Sequence, residues 1–342
     1  MKYLFKLACD SLDLVQEEII ALSKKKEISW LTECMGIFEM NHIELEEISN
    51  SSAVMKFIII DPILLNHDEV IDLGKQFRFP DKHLNSEYIP NEATFVVRHQ
   101  HTGSVDKKLP TEEIERTIGA SILNGRQDLK VNLTMNDKTY MIISWKDGSV
   151  MGWIHKTVDY KPIASRAPKM SPYFRGGGMK SRLCRLLVNL LFPLNNIILD
   201  PFCGHGGILR EIADLGSFGI GIEINKKLCR ELLANNRHFG YDDRIGIIMG
   251  DSLMAPLRKN AYKQVATDPP YAIQTTTKGL DPSVLLNNWL SKQENGVKLV
   301  FTTPKTMLVN LSEQWTIEID KDDFVHKSLT RRVRRVIKGG SK

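Results

Sequence analysis

The hydrophobic pattern changes character near residue 179. Beyond it, short continuous apolar runs recur: "IILD" (197–200), "FGIGIEI" (218–224), "RIGIIMGD" (244–251), "QVATD" (264–268) and "VKLVFTTP" (297–304). Between them lie stretches of helical character, "GILREIADLG" (207–216), "NKKLCRELLANNRHFG" (225–240) and "SVLLNNWLSKQ" (283–293). Just upstream, Leu183, Leu186, Leu187, Leu190 and Leu191 fall at i, i+3, i+4, i+7 and i+8, the spacing of an amphipathic helix. Strands that are apolar on both faces and alternate with helices predict a parallel sheet covered on both sides, a doubly wound Rossmann-like α/β domain. The tail adds "WTIEIDKDD" (315–323) and "FVHKSLTRRVRRVIK" (324–338), two strand-like runs suited to an antiparallel hairpin at the sheet edge.

Residues 1–155 read differently. Strand-like runs ("KYLFKLA", "AVMKFIIID", "ATFVVRHQ", "TYMIISW") mix irregularly with helical ones ("SLDLVQEEIIALSKKK", "TEEIERTIGASILNG"), as in small α+β units. Thr111, followed by two glutamates, is the expected N-cap of the second helix. Residues 156–178 hold three prolines and three glycines without periodicity, which marks a linker between 1–155 and a domain over 179–342.

Composition narrows the class. With 42% hydrophobic and 25% charged residues, the chain is globular and carries no disorder signature. Its longest apolar stretch is broken by Lys56 and Asp61, so no membrane span is expected. The N-terminus lacks the apolar core of a signal peptide. Five cysteines (9, 34, 184, 203 and 229) are scattered without a C-x-x-C pair, which argues against a disulfide framework or a metal site and for a reducing cytoplasm. A net charge of +5 permits nucleic-acid binding without demonstrating it.

The chemistry sits where the strands end, since ligands of doubly wound sheets bind at the carboxyl edge. Four successive strands close on an acid: Asp200, Glu223, Asp251 and Asp268. After Asp200 comes "PFCGHGG", whose Gly204 and Gly206 let the backbone approach a ligand. Glu223, 19 residues beyond Gly204, is placed to take ribose hydroxyls, and Asp251 an adenine amine. Phe202, Ile224 and Ser252 flank these acids. A dinucleotide would need G-x-G-x-x-G, and its pyrophosphate would be repelled by Asp200, whereas the ammonium of a methionine moiety would be attracted. S-adenosylmethionine is therefore the expected cofactor, with no metal.

The fourth acid opens "DPPY", a string that arises by chance in roughly one chain of this length in a thousand. An exocyclic amine on a nucleobase is a poor nucleophile because its lone pair is delocalised into the ring. Asp268 and the carbonyl of Pro269 can hold the hydrogens of such an amine, Pro269 and Pro270 fix the backbone, and Tyr271 can stack on the base. A base must leave its helix to reach such a pocket.

"DPFCGHGGI", "GIEIN", "GDS" and "ATDPPYAIQTTTKG", in this order, resemble S-adenosylmethionine-dependent methyltransferases of exocyclic amines. "IERTIGASILNGRQDLKVNL", "RAPKMSPYFRGGGMKSRLCRLLVNL" and "VHKSLTRRV" are similar to the THUMP-containing archaeal tRNA (guanosine-10 N2) methyltransferases. The resemblance implies a ferredoxin-like part over 1–50, a THUMP RNA-binding domain over 51–155, tRNA as partner, and N2-methylguanosine or N2,N2-dimethylguanosine as product. A small activating protein is a further candidate partner, and a monomer or weak oligomer is expected. Three departures stand out. His205 replaces the family's usual Thr, Ala272-Ile273-Gln274 follow "DPPY" where Gly and Arg are common, and "SPYFRGGG" stands in place of an Arg-Pro-Phe-Phe-type string. Arg166 and Arg175 are the candidates for phosphate contact in that linker, with Tyr173 and Lys180 beside them.

Arg331 and Arg332, in "TRRVRRVIK", serve either phosphate contact or edge protection by charge. Arg98, His99 and His101 alternate along one strand and suit a surface or RNA contact rather than a metal. Trp145 and Trp153 fit a core. "SKKKE" reads as a solvated helix end. Two rival functions remain open on these residues: an N6-adenine or N4-cytosine DNA methyltransferase, since "DPPY" serves those amines too, and an RNA-binding protein with a degenerate methyltransferase domain.

Overall fold

The computed structural model describes all residues except 9–13, 25–26, 67–68, 70–78, 104–109, 177, 259, 272–280, 328 and 340–342. The chain forms β1 (Lys2–Leu7), α1 (Val15–Ser23), β2 (Ser29–Thr32), β3 (Met35–Glu39), α2 (His42–Ser51), β4 (Met55–Leu65), β5 (Thr94–His101), α3 (Thr111–Gly125), β6 (Lys130–Val131), β7 (Lys138–Trp145) and β8 (Gly148–Thr157). It continues with α4 (Lys161–Ser165), α5 (Ser181–Asn189), β9 (Ile197–Asp200), α6 (Gly207–Asp214), β10 (Phe218–Glu223), α7 (Lys226–Phe239), β11 (Ile245–Met249), β12 (Gln264–Thr267), α8 (Pro282–Ser291), β13 (Lys298–Pro304), β14 (Trp315–His326) and β15 (Leu329–Lys338). Two compact units result: Met1–Leu7, Glu27–Leu45 and Met55–Val158 make one, and Ala8–Lys26, Glu46–Val54 and Asp159–Lys342 the other.

The first unit is built on one eight-stranded sheet ordered β2-β3-β1-β4-β8-β7-β5-β6. β1 pairs with β4 as well as β3, so strands on either side of residue 50 share hydrogen bonds. Isoleucines 114, 118 and 122 of α3 pack with Phe95, Val97, Tyr140 and Trp153 into one core, while Leu4, Met35, Ile59, Ile143 and Trp145 gather in another. Both tryptophans thus fill cores, as their setting suggested. Two expectations fail here. Thr111 is the first helical residue rather than the cap; Pro110, extended at φ −70° and ψ 91°, takes the cap position without a side-chain bond. His99 is no surface residue: it is 7% exposed, its Nε2 lies 2.8 Å from Ser144 Oγ, and burial pulls its pKa down to about 4. Cys34 is disulfide-bonded, against the expectation from the cysteine spacing, whereas Cys184, Cys203 and Cys229 carry free thiols.

The second unit holds the seven-stranded sheet ordered β11-β10-β9-β12-β13-β15-β14, with β9 to β13 parallel and β15 antiparallel to both neighbours. The expected doubly wound sheet and its C-terminal hairpin are both present. Strand order reverses between β9 and β12, the switch point at which such sheets bind ligands. Leu199, Ile222, Val265, Leu299 and Phe301 bury their side chains against Leu286, Trp289 and Leu290 of α8. At the back of α5 a buried Glu18 accepts from Ser52 Oγ (2.7 Å), the Ala53 and Val54 amides (2.9 and 3.2 Å) and Asn189 Nδ2 (2.7 Å), so α1 is fixed by a fully hydrogen-bonded acid. Among the described residues no helix is long and apolar enough to cross a membrane.

Candidate active site

The loop after β9 is shaped by two glycines with different tasks. Gly206, at φ +76°, caps α6, and a Cβ there would stand 2.2 Å from Leu232 Cδ1. Gly204, at φ +51°, faces open space, with nothing within 4 Å of where a Cβ would be. One glycine lets the loop press onto α7, and the other leaves its outer face clear. The loop is pinned further: Arg210 of α6 donates through Nη1 to the His205 carbonyl (2.7 Å), and His205 Nε2 lies 3.1 Å from Glu231 Oε2 on α7. His205 is therefore turned to α7, and Asn225 caps that helix by accepting from the Lys227 and Leu228 amides at 2.9 and 3.2 Å.

Beneath the loop, Asp200 is only 1% exposed. Its Oδ1 accepts from Thr267 Oγ1 of β12 at 2.7 Å and from the Phe202 amide at 3.2 Å. Burial pushes its carboxyl up to about 7, against those two hydrogen bonds. Glu223, at the end of β10, is half-buried and accepts from the Asn225 amide at 2.7 Å; burial raises its pKa as well. Ile224 beside it is 38% exposed. Asp251 accepts from the Leu253 amide at 3.0 Å, which orders the turn after β11 that carries Ser252. Phe202 meets Trp289 edge-on, with ring centroids 6.2 Å apart.

One strand over, Asp268 follows β12 directly. Its Oδ1 accepts from Tyr271 Oη and from Thr302 Oγ1 of β13, and those two hydroxyls are 2.8 Å apart. Burial raises the Asp268 carboxyl, while the two donors and the Arg331 charge pull it back. The Tyr271 hydroxyl is pushed up chiefly by burial, and the Asp268 charge adds to it. Pro269 and Pro270 span the short reach from the acid to the ring. Thr267 and Thr302 do not stand out in the sequence, because a threonine near a strand end is ordinary β composition. A signal is present in "VATD" and "FTTP", where a hydroxyl stands at each strand end.

The structure redistributes the arginines. Arg166, expected to face phosphate, is 5% exposed, with Nε and Nη2 donating to Glu211 at 3.0 and 2.9 Å and Nη2 3.0 Å from Asp214. Arg185 shares both acids, so that charge is neutralised inside the unit. Arg332 pairs with Asp320 at 2.6 Å, Arg334 with the same acid at 3.3 Å, and Arg335 with Glu318 at 2.8 Å, all on β14. β15 lies between β13 and β14, so its arginines protect no edge. Tyr173 and Arg175 are exposed, and the Tyr173 amide and carbonyl both bond Asn235 of α7, at 3.0 and 2.8 Å. Lys180, exposed, stands at the cap of α5. Arg98 spends one nitrogen on the Leu133 carbonyl, at 2.8 Å. Ala272-Ile273-Gln274 lie outside the described residues.

Residues 168–333 match the RMKL-like methyltransferase domain family (UPF0020). A tRNA (guanine(10)-N2)-dimethyltransferase from Methanocaldococcus jannaschii is 26% identical over 266 residues, covering 75% of this chain and 74% of that protein. A probable tRNA (guanine(10)-N2)-dimethyltransferase from Methanothermococcus thermolithotrophicus is 31% identical over 157 residues, 44% of this chain and 94% of that one. The chain belongs to this guanine-N2 methyltransferase family. The crystal structure of TrmN from Thermus thermophilus shares the fold, with a TM-score of 0.60 at 16% identity, covering 99% of this chain and 100% of that one.

Proposed function

We propose that this chain transfers a methyl group from S-adenosylmethionine to the exocyclic N2 amine of a guanosine in tRNA, at position 10, giving N2-methylguanosine and then N2,N2-dimethylguanosine. One observation carries the reading. A half-buried aspartate, its carboxylate held by two hydroxyls and followed by two prolines, stands at the end of the strand next to a glycine loop whose outer face is clear. The activities of the two archaeal relatives support tRNA and guanine as the target.

The residues present fit the cofactor. Gly204 offers bare backbone to a bulky ligand, Glu223 has an oxygen for ribose hydroxyls, and Asp200 lies under the loop as the counter-charge for an ammonium. Gly206, Phe202, Ile224, Asp251 and Ser252 complete the edge. When bound, S-adenosylmethionine supplies a methyl group on a positively charged sulfur. Asp268 and the Pro269 carbonyl each accept one N2–H of guanine, which turns the nitrogen lone pair out of the ring plane and toward the methyl. As the N–CH3 bond formed and the S–CH3 bond broke, leaving a neutral thioether, the N2 proton would pass to Asp268, whose burial-raised pKa makes it a ready acceptor. Acceptors fixed by the fold need no reorganisation at that moment. Tyr271, anchored by its hydroxyl, presents its ring for stacking beside the carboxylate.

The first unit serves as the RNA-binding module, with residues 51–155 THUMP-like. Tyr173, Arg175 and Lys180 carry the exposed nucleic-acid contacts of the methyltransferase unit. The cytoplasm is where such a substrate is met. Label transfer from S-adenosylmethionine to tRNA in competition with duplex DNA tests the reading. Labelled tRNA with unlabelled DNA is expected, and labelled DNA would return the amine clamp to adenine or cytosine chemistry.

A further inference from the structure

Arg331 differs from the other arginines of β15. Arg332, Arg334 and Arg335 each meet an acid of β14, but the Arg331 side chain makes no hydrogen bond and no ion pair among the described residues. It is nonetheless 8% exposed, and its Nε is buried without a partner. A buried guanidinium is ordinarily paired, because removing its hydration is costly. The register says where it stands. Thr302 of β13 faces Val333 of β15, and Pro304 faces Arg331. Arg331 is thus two residues further toward the carboxyl edge of the sheet, on the same face as the threonine that holds Asp268. Its charge acts on Asp268 and Tyr271.

We infer that Arg331 is the residue that selects guanine over adenine, donating from its guanidinium to O6 of the base whose N2 amine lies on Asp268. Guanine carries its amine and its carbonyl on one edge, so a base held at N2 turns O6 toward a donor further along the site. Adenine held at its N6 amine has only a C2–H at that place and would leave the arginine unpaired in a dry site, whereas cytosine held at N4 still offers its O2 carbonyl there. Asp268 and its prolines serve any exocyclic amine; Arg331 would turn them against adenine. The inference rests on the reading of this chain as a guanine-N2 methyltransferase.

The test uses tRNA transcripts carrying guanosine at position 10 and the same transcripts carrying 2-aminopurine there, which keeps the N2 amine and lacks the 6-oxygen. Methyl transfer by the wild-type chain is expected to favour guanosine by about 10- to 100-fold. In Arg331→Ala the preference should fall at least about tenfold, mostly through slower guanosine methylation, with cofactor affinity by calorimetry unchanged. Arg331→Lys, which keeps the charge and most of the volume, should fall between the two. Equal loss on both transcripts, with the preference intact, would assign Arg331 to a phosphate and overturn the inference. A wild-type chain indifferent to the 6-oxygen would overturn it even if Arg331→Ala fails to fold. If wild type methylates guanosine tRNA yet shows no preference, only the selector is wrong; if it methylates no tRNA, the functional reading and the selector fall together.

Discussion

Asp200 and Asp268 are the same device placed one strand apart. Each is a carboxylate at a strand's carboxyl end, Asp200 buried and Asp268 half-buried, and each is held by a threonine from the next strand in the order β9-β12-β13: Thr267 on Asp200, Thr302 on Asp268. The backbone leaving each acid differs. Behind Asp200 the chain turns through Gly204 and Gly206, one pressed onto α7 and one clear to solvent, a backbone able to lie close along a ligand. Behind Asp268 it passes through Pro269 and Pro270, which supply fixed carbonyls and no amide hydrogen. The acid–threonine unit is therefore generic, and the backbone after it assigns the role. On the proposed function, the glycines mould a binding surface for the methyl donor and the prolines aim at an acceptor atom.

The contrast can be broken at the acids themselves. Asp268→Ala should lower methyl transfer by about 10³-fold while cofactor affinity by calorimetry stays within about threefold. Asp200→Asn should do the reverse, weakening cofactor affinity by about 30-fold or more with a milder loss of turnover at saturation. If either substitution produced the other's signature, the division between donor and acceptor ends would be wrong.

Acidity sharpens it. Asp200 is neutral below its raised pKa of about 7, so binding a cation must expel its proton, and cofactor affinity should be about tenfold weaker at pH 6 than at pH 8. The stability linkage has the opposite sense. A carboxyl raised in the folded state contributes stability that is full below the unfolded value and lost as pH climbs through about 7. Asp200→Asn in the cofactor-free protein should therefore raise the melting temperature more at pH 8 than at pH 5. The smallest effects belong to the hydroxyls. Thr302→Val should slow transfer by about tenfold and Thr267→Val should weaken cofactor binding by a similar or smaller factor, read as a kcat change in one and a KM change in the other.

Much of this was legible in the residues. The parallel strands, the acid closing the first four of them and the "DPPY" turn come from local pattern, because buried parallel strands are short, apolar and bounded by helices. Pairings set by long-range contact were not. Nothing in "KYLFKLA" says that β1 will pair with β4, and nothing near Arg166 says that Glu211 and Asp214 will enclose it. The four arginines of β15 look alike in sequence; in the fold Arg332, Arg334 and Arg335 form ion pairs with acids of β14, whereas Arg331, opposite Asp323 on β14 and Pro304 on β13, forms none among the described residues. His99 obeys the same rule, a histidine in a polar-looking strand that tertiary packing buries against Ser144.

The most direct measurement is mass spectrometry of the nucleosides of tRNA transcripts after incubation with S-adenosylmethionine and either wild-type or Asp268→Ala protein. N2-methylguanosine at position 10 from the wild type, and a loss of it by about 10³-fold from a variant that still binds the cofactor, is the predicted result. N6-methyladenosine as the product, or undiminished N2-methylguanosine from Asp268→Ala, would contradict the assignment of Asp268 as the clamp on a guanine amine.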